Sequence, residues 1–269
     1  MNVRREQIND SGPSVCGRRA VTWGLMTAIL DHLAIGTPTL TPGWELFSGV
    51  LGGTWGSGGD SPGFWWGQLE FAAGPQIELL TPNGDPDADF LERFLASHGA
   101  GPHHLNFHVT DIEDTLTRIR AHGIEPVGVN LDNPGWKEAF LHPRDAHGIV
   151  IQVAQQGWPY RSAPPAELPE PGPSTSFDLI EHHVSDLDRA VRLFGDVLDG
   201  QVETVDAATV ELTWPRGRRI RLVREDELPR GGALHHVRFT RPSAAFSVQE
   251  RERAGLLAKD LGLTVELAE

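Results

Sequence analysis

Pro102, His103, His104, Leu105, Asn106, Phe107, His108, Val109, Thr110 and Asp111 follow one another in the segment on which the fold turns. Leu105, Phe107 and Val109 alternate with His104, Asn106 and His108. That period of two predicts a strand with one apolar and one polar face. A strand facing only water does not need two imidazoles and an amide on one side, whereas a cavity wall would use them. An amphipathic strand with a solvated polar face is the plainer alternative, and these ten residues leave both readings open.

Reading outward, residues 111–122 form a helix with Ile112, Leu116 and Ile119 on one face and Gly123 as its stop. Strands follow at 124–129, 137–141 and 148–154, the last with Gln152 between Ile151 and Val153. Upstream, residues 28–35 read as a strand with His32 at its middle. Residues 41–51 read as a helix that Thr41 caps, with Pro42 in its first turn and Trp44, Phe47, Val50 and Leu51 on one face. Strands at 54–57, 64–71 and 76–80 come next, with Glu78 between Ile77 and Leu79. A short helix over 87–98 leads back to the opening segment.

Residues 28–155 are therefore a βαβββ unit written twice. The first strand of each copy carries a histidine, His32 and His104, and the fourth carries a polar residue amid aliphatics, Glu78 and Gln152. His32 alone would read as a hydrogen-bonded core histidine. Packing two copies about a pseudo-twofold axis brings all four residues together, and two imidazoles, a carboxylate and an amide oxygen suit a divalent metal.

These segments resemble the vicinal oxygen chelate (glyoxalase/bleomycin resistance/dioxygenase) superfamily, fully over about 28–155 and partly over 177–269. The double histidine, the helix after it and Phe140, Leu141, His142 and Pro143 look most like methylmalonyl-CoA epimerases, with glyoxalase I next. The resemblance implies an α+β fold: paired βαβββ modules form a curved mixed sheet around a cavity, followed by a second, incomplete module pair. It also implies one divalent ion (manganese, cobalt, nickel, zinc or iron) held by His32, Glu78, His104 and Gln152. That ion would chelate two adjacent oxygens of a small oxo or acyl substrate and stabilise its enolate. The chain departs from both relatives at the last ligand, where they carry a glutamate, the catalytic base in glyoxalase I. An amide oxygen can bind a metal but cannot take a proton. Proton transfer then falls to Glu78, Glu70 or His108. Trp66, Gln68 and Asn106 are candidates to touch substrate, and His103 is expected to face the other way.

Composition bounds the rest. A formal charge of -14 argues against nucleic acid or an anionic membrane as partner, and no apolar run is long enough to cross a bilayer. The single cysteine, Cys16, excludes an internal disulfide and points to a cytoplasmic protein. Residues 1–27 show no period and are expected to be a disordered tail. A complete metal-bearing domain is expected over 28–156, a proline-rich linker over 157–176 and a degenerate, shortened copy over 177–269. In that copy Leu179 and Arg221 fall where His32 and Glu78 stand, so the same cation site is not expected there. Glu181, His182 and His183 are a weaker candidate for a site of their own. The incomplete copy leaves a sheet edge open to a second chain, so a homodimer is compatible with the sequence.

Three classes of function follow. The favoured one is a metal-dependent isomerase or lyase. The second is an iron-dependent ring-cleaving dioxygenase, with Glu78 standing in for the carboxylate that such enzymes carry last. The third is a metal-free small-molecule binding protein, with Trp55, Trp65, Trp66 and Trp136 walling an aromatic pocket.

Overall fold

The computed structural model describes residues 27–228, 232–241 and 245–269. The expected tail lies outside the described residues except for Thr27, whose backbone N–H and hydroxyl both donate to Asp199 at 2.7 Å.

The first half contains β1 (Ala28–Gly36), α1 (Thr41–Trp44), β2 (Thr54–Ser61), β3 (Phe64–Glu70), β4 (Gln76–Pro82) and α2 (Phe90–His98). It continues with β5 (Gly101–Val109), α3 (Ile112–Ala121), β6 (Val127–Asn130), β7 (Trp136–Leu141) and β8 (Val150–Gln156). These strands make one sheet in the order β2-β3-β4-β1-β5-β8-β7-β6. The two module-opening strands, β1 and β5, pair antiparallel at its centre; β4 lies parallel to β1, and β8 parallel to β5. The registers repeat: Gln76 lies opposite His32 and Val150 opposite His104, so each fourth-strand polar residue stands two positions further on.

The first helix differs from expectation. Thr41 lies inside it, and Leu40 is the flanking residue, its carbonyl accepting from the Trp44 N–H at 2.8 Å. After Trp44 the turn widens into a π-helix over Glu45–Val50, closed by the Leu51 N–H on the Leu46 carbonyl. The second half repeats the device, α4 (Leu187–Val191) passing into a π-helix over Arg192–Val197. The helix expected over 87–98 starts only at Phe90.

The second half adds β9 (Ser176–Val184), β10 (Gln201–Thr204), β11 (Thr209–Trp214), β12 (Arg218–Arg224), β13 (Gly232–Thr240), α5 (Val248–Asp260) and β14 (Thr264–Ala268). They form a second sheet in the order β10-β11-β12-β9-β13-β14. β14 runs parallel to β13, taking the place that β8 takes beside β5. One full βαβββ unit is thus followed by a unit reduced to strand, helix and strand. The two halves share an aromatic core: Phe47 and Phe71 of the first pack on Phe239 of the second, and Phe107 packs on Phe194 and Trp214.

Candidate metal centre

Two β-bulges set the site. Between Leu30 and His32 the β1–β5 register skips Asp31, and between Ala34 and Ile35 it skips His103. A bulge places two consecutive side chains toward one face, which strict alternation forbids. Asp31 and His32 consequently both line the cavity over the first sheet, as do His103 and His104. This corrects the expectation that His103 faces away: its Nδ1 lies 2.9 Å from Nδ1 of His104, and its ring packs on Phe90 and Phe94.

At the cavity floor His32 Nε2 lies 3.4 Å from His104 Nε2 and 3.4 Å from Glu78 Oε2, and His104 Nε2 lies 3.7 Å from the same oxygen. All three residues are buried. Two ligands about 2.1 Å from one ion at a tetrahedral angle stand about 3.4 Å apart. The three donors therefore fit a single divalent ion. The partners behind them fit it as well. His32 Nδ1 is 2.9 Å from Asp31 Oδ2, which keeps the proton on Nδ1 and turns the Nε2 lone pair toward the cluster. Glu78 Oε1 accepts from Gln68 Nε2 at 3.0 Å.

Charge is distributed accordingly. Burial would raise the Asp31 carboxyl, but the bond from His32 and the nearby His108 and Arg218 hold it at about 2. Burial would lower His32, but Glu78 and Asp31 raise it to about 10. Burial, with His103 and His32 beside it, holds His104 well below the ordinary imidazole value, and burial takes His103 down to about 4. Without an ion, His32 is the protonated member of the cluster and His104 the neutral one.

The other candidates are distributed as follows. Gln152 is buried on β8; its Oε1 accepts from Asn106 Nδ2 at 2.7 Å, its Nε2 donates to Glu138 Oε2 at 2.7 Å, and it hydrogen-bonds His104. Asn106 is fully buried behind it, so it supports Gln152 rather than reaching a ligand. His108 lines the cavity, 3.6 Å from Asp31 and edge-on to Trp136. Trp66 and Gln68 line it too, and Glu70 stands exposed at the end of β3.

Three features were not read from the sequence. Asp31 was hidden by the bulge. Glu138, on β7, accepts from Trp136 Nε1 at 2.9 Å as well as from Gln152. The segment after β8 folds across the open side of the sheet: Trp158, Pro159, Tyr160 and Arg161 line the cavity, and Ser162 accepts from Trp55 Nε1 and the Gly58 N–H of the far edge. The cavity has a volume of about 1050 Å³.

In the second sheet the matching positions hold ion pairs. Arg238 lies opposite Leu179, and Arg221 opposite Glu181. Arg221 donates to Glu211 at 2.7 Å, and His236 lies 3.2 Å from Glu181 and 3.6 Å from Glu266. Glu266 lies opposite Arg238 as Gln152 lies opposite Asn106. An arginine occupies the centre of this copy in place of a donor set. Of the three residues considered for a second site, Glu181 and His183 pair with each other, and His182 is fully buried.

Known proteins resemble this chain. The family model of the Glyoxalase/Bleomycin resistance protein/Dioxygenase superfamily matches residues 31–140. An ethylmalonyl-CoA/methylmalonyl-CoA epimerase of Cereibacter sphaeroides is 31% identical over 137 residues, 48% of this chain and 99% of that protein. The mitochondrial methylmalonyl-CoA epimerase of Homo sapiens is 27% identical over 131 residues, 47% of this chain and 73% of that one. A mutant 4-hydroxymandelate synthase from Streptomyces coelicolor shares the two-sheet fold at a TM-score of 0.57 and 13% identity, covering 87% of this chain and 76% of that one. No described helix is long and apolar enough to cross a membrane. The chain belongs to the glyoxalase/bleomycin resistance/dioxygenase superfamily.

Proposed function

We propose that this protein is a metal-dependent isomerase or lyase acting on a carbon next to a carbonyl of an oxo or acyl substrate. The convergence of His32 Nε2, His104 Nε2 and Glu78 Oε2 at the floor of a deep cavity carries this reading. These three would hold the ion, with Gln152 Oε1 as a fourth donor through its second lone pair. Bound there, a divalent ion would act as a Lewis acid on the substrate oxygens and favour loss of the neighbouring proton.

The chain's own residues supply the remainder. Asp31 fixes the His32 tautomer, Gln68 orients Glu78, and Asn106 with Glu138 orients Gln152. Trp66, Trp136, Trp158 and Tyr160 line the same cavity as the donors and give it an aromatic wall. Arg161 is the one lysine or arginine among the lining residues, at a rim where the acidic group of a substrate can meet it. A cavity of about 1050 Å³ is at the upper end of ligand sites, roughly 300–1,000 Å³. It takes a substrate with a carrier or a large side group, such as an acyl thioester, more readily than a free C4 acid.

The test is solvent exchange. Protein loaded separately with each of the five metals is incubated in D2O with methylmalonyl-CoA, or with the hemithioacetal of methylglyoxal and glutathione. Metal-dependent deuterium at the α-carbon supports the reading, and its absence with every loaded metal counts against it. Two histidines and a carboxylate are also the donor set of non-haem iron oxygenases, which makes a ring-cleaving dioxygenase the second reading. Oxygen uptake with a catechol by the iron-loaded protein, without α-exchange, would favour it.

A further inference from the structure

The proposed reaction needs a group that takes a proton from carbon, and the amide of Gln152 cannot do so. Besides Asp31, which is bound to His32, three carboxylates line the cavity: Glu70, Glu78 and Glu138. Both oxygens of Glu78 are engaged, one by the two imidazoles and the other by Gln68. Glu70 is exposed at the end of its strand, against Gly56. Glu138 is placed differently. Its Oε2 accepts from both Gln152 Nε2 and Trp136 Nε1, while Oε1 has no hydrogen-bond partner among the described residues.

Two donors on one oxygen aim the carboxylate. They also decide which way the Gln152 amide points, because turning it over would set its oxygen against the carboxylate. Gln152 bonds His104 as well, so Glu138 stands one amide group away from an imidazole of the donor cluster. Glu138 and Phe140 share a face of β7, and Phe140 lies opposite Gln152.

We propose that Glu138 Oε1 is the proton acceptor of this site, supplying from β7 the carboxylate that position 152 lacks on β8. The assignment rests on the enolising reading above. The C–H bond beside the substrate carbonyl breaks, its electron pair remains on the substrate as the enolate, and the proton passes to Glu138 Oε1. The same carboxyl then returns the proton as a new C–H bond forms, so no oxidant or reductant enters.

The test uses the full chain loaded with cobalt or zinc, the two exchange probes above, and metal analysis. Glu138→Gln keeps an acceptor for Gln152 and Trp136 but removes the base. Expected are unchanged metal stoichiometry, an unchanged visible spectrum with cobalt, and exchange slower by at least about 100-fold. Glu138→Asp should recover part of the rate. Wild-type exchange matched by Glu138→Gln with its metal retained overturns the assignment alone. Loss of metal from Glu138→Gln also overturns it, because the slowed exchange would then follow from the lost ion and not from a lost base. A metal-loaded wild type that exchanges neither probe overturns the enolising reading together with this assignment.

Discussion

His32 is gripped by Asp31 on one ring nitrogen and faces Glu78 and His104 with the other. A metal needs that second nitrogen neutral. Because Glu78 and Asp31 raise His32 to about 10, ion binding must displace a proton across the neutral range. Loading is expected to release about one proton per ion, and apparent affinity to rise about tenfold per pH unit below that value. Calorimetry in two buffers of different ionisation enthalpy measures this, and loading without proton release would contradict it. In the metal-free protein the sign is opposite. A raised histidine stabilises the fold fully below its unfolded value of about 6.5, and the contribution fades as pH climbs toward 10. Asp31, held low, contributes above about 3.8 and loses its contribution as pH falls through about 2. As the partner behind a ligand, Asp31 is expected to matter for affinity: Asp31→Ala should weaken metal binding about 10–100-fold in a chelator competition.

At the level of elements, the helices that follow β5 and β9 are each capped by an aspartate, whereas the helix after β1 has no side-chain cap. Asp111 accepts from the Asp114 N–H at 3.1 Å, and Asp186 from the Arg189 N–H at 2.9 Å. Asp111→Ala is expected to cost about 1 kcal/mol of stability in denaturant unfolding, with metal content unchanged. The strands were legible because apolar and polar residues alternate plainly around His32, Glu78, His104 and Gln152, and the structure brings the first three of these together. Alternation also concealed two residues, since a bulge adds one residue without any mark in the polar pattern. Asp31 and His103 reach the cavity for that reason. Glu138 sits on a strand that the sequence revealed, yet its role depends on a cross-strand partner that no local pattern names. The segment 157–162 has no period at all, and its place across the cavity follows from two tertiary contacts with β2.

Across the whole molecule the second half is more than a remnant. Arg218, at the start of β12, places Nη2 3.9 Å from Asp31 Oδ1, and both side chains are largely buried. The second half thus sets a cation behind the partner of His32. Arg218→Met should weaken metal binding in the same direction as Asp31→Ala but less, because the direct Asp31–His32 bond remains. The shared core argues that the halves fold together. A chain ended after Gln156 would uncover Phe47, Phe71 and Phe107, all of which pack on aromatics of the second half. Such a chain is expected to aggregate, whereas the full chain should unfold in a single transition by circular dichroism and tryptophan fluorescence alike.

The central claim is that His32, Glu78 and His104 hold one ion, and metal content tests it most directly. Protein purified without chelator, loaded and then desalted, should carry close to one equivalent of a divalent transition metal. His104→Ala should carry almost none while its circular dichroism spectrum is unchanged. A wild-type protein that retains none of the five metals, or a His104→Ala protein that retains them equally well, would contradict the account.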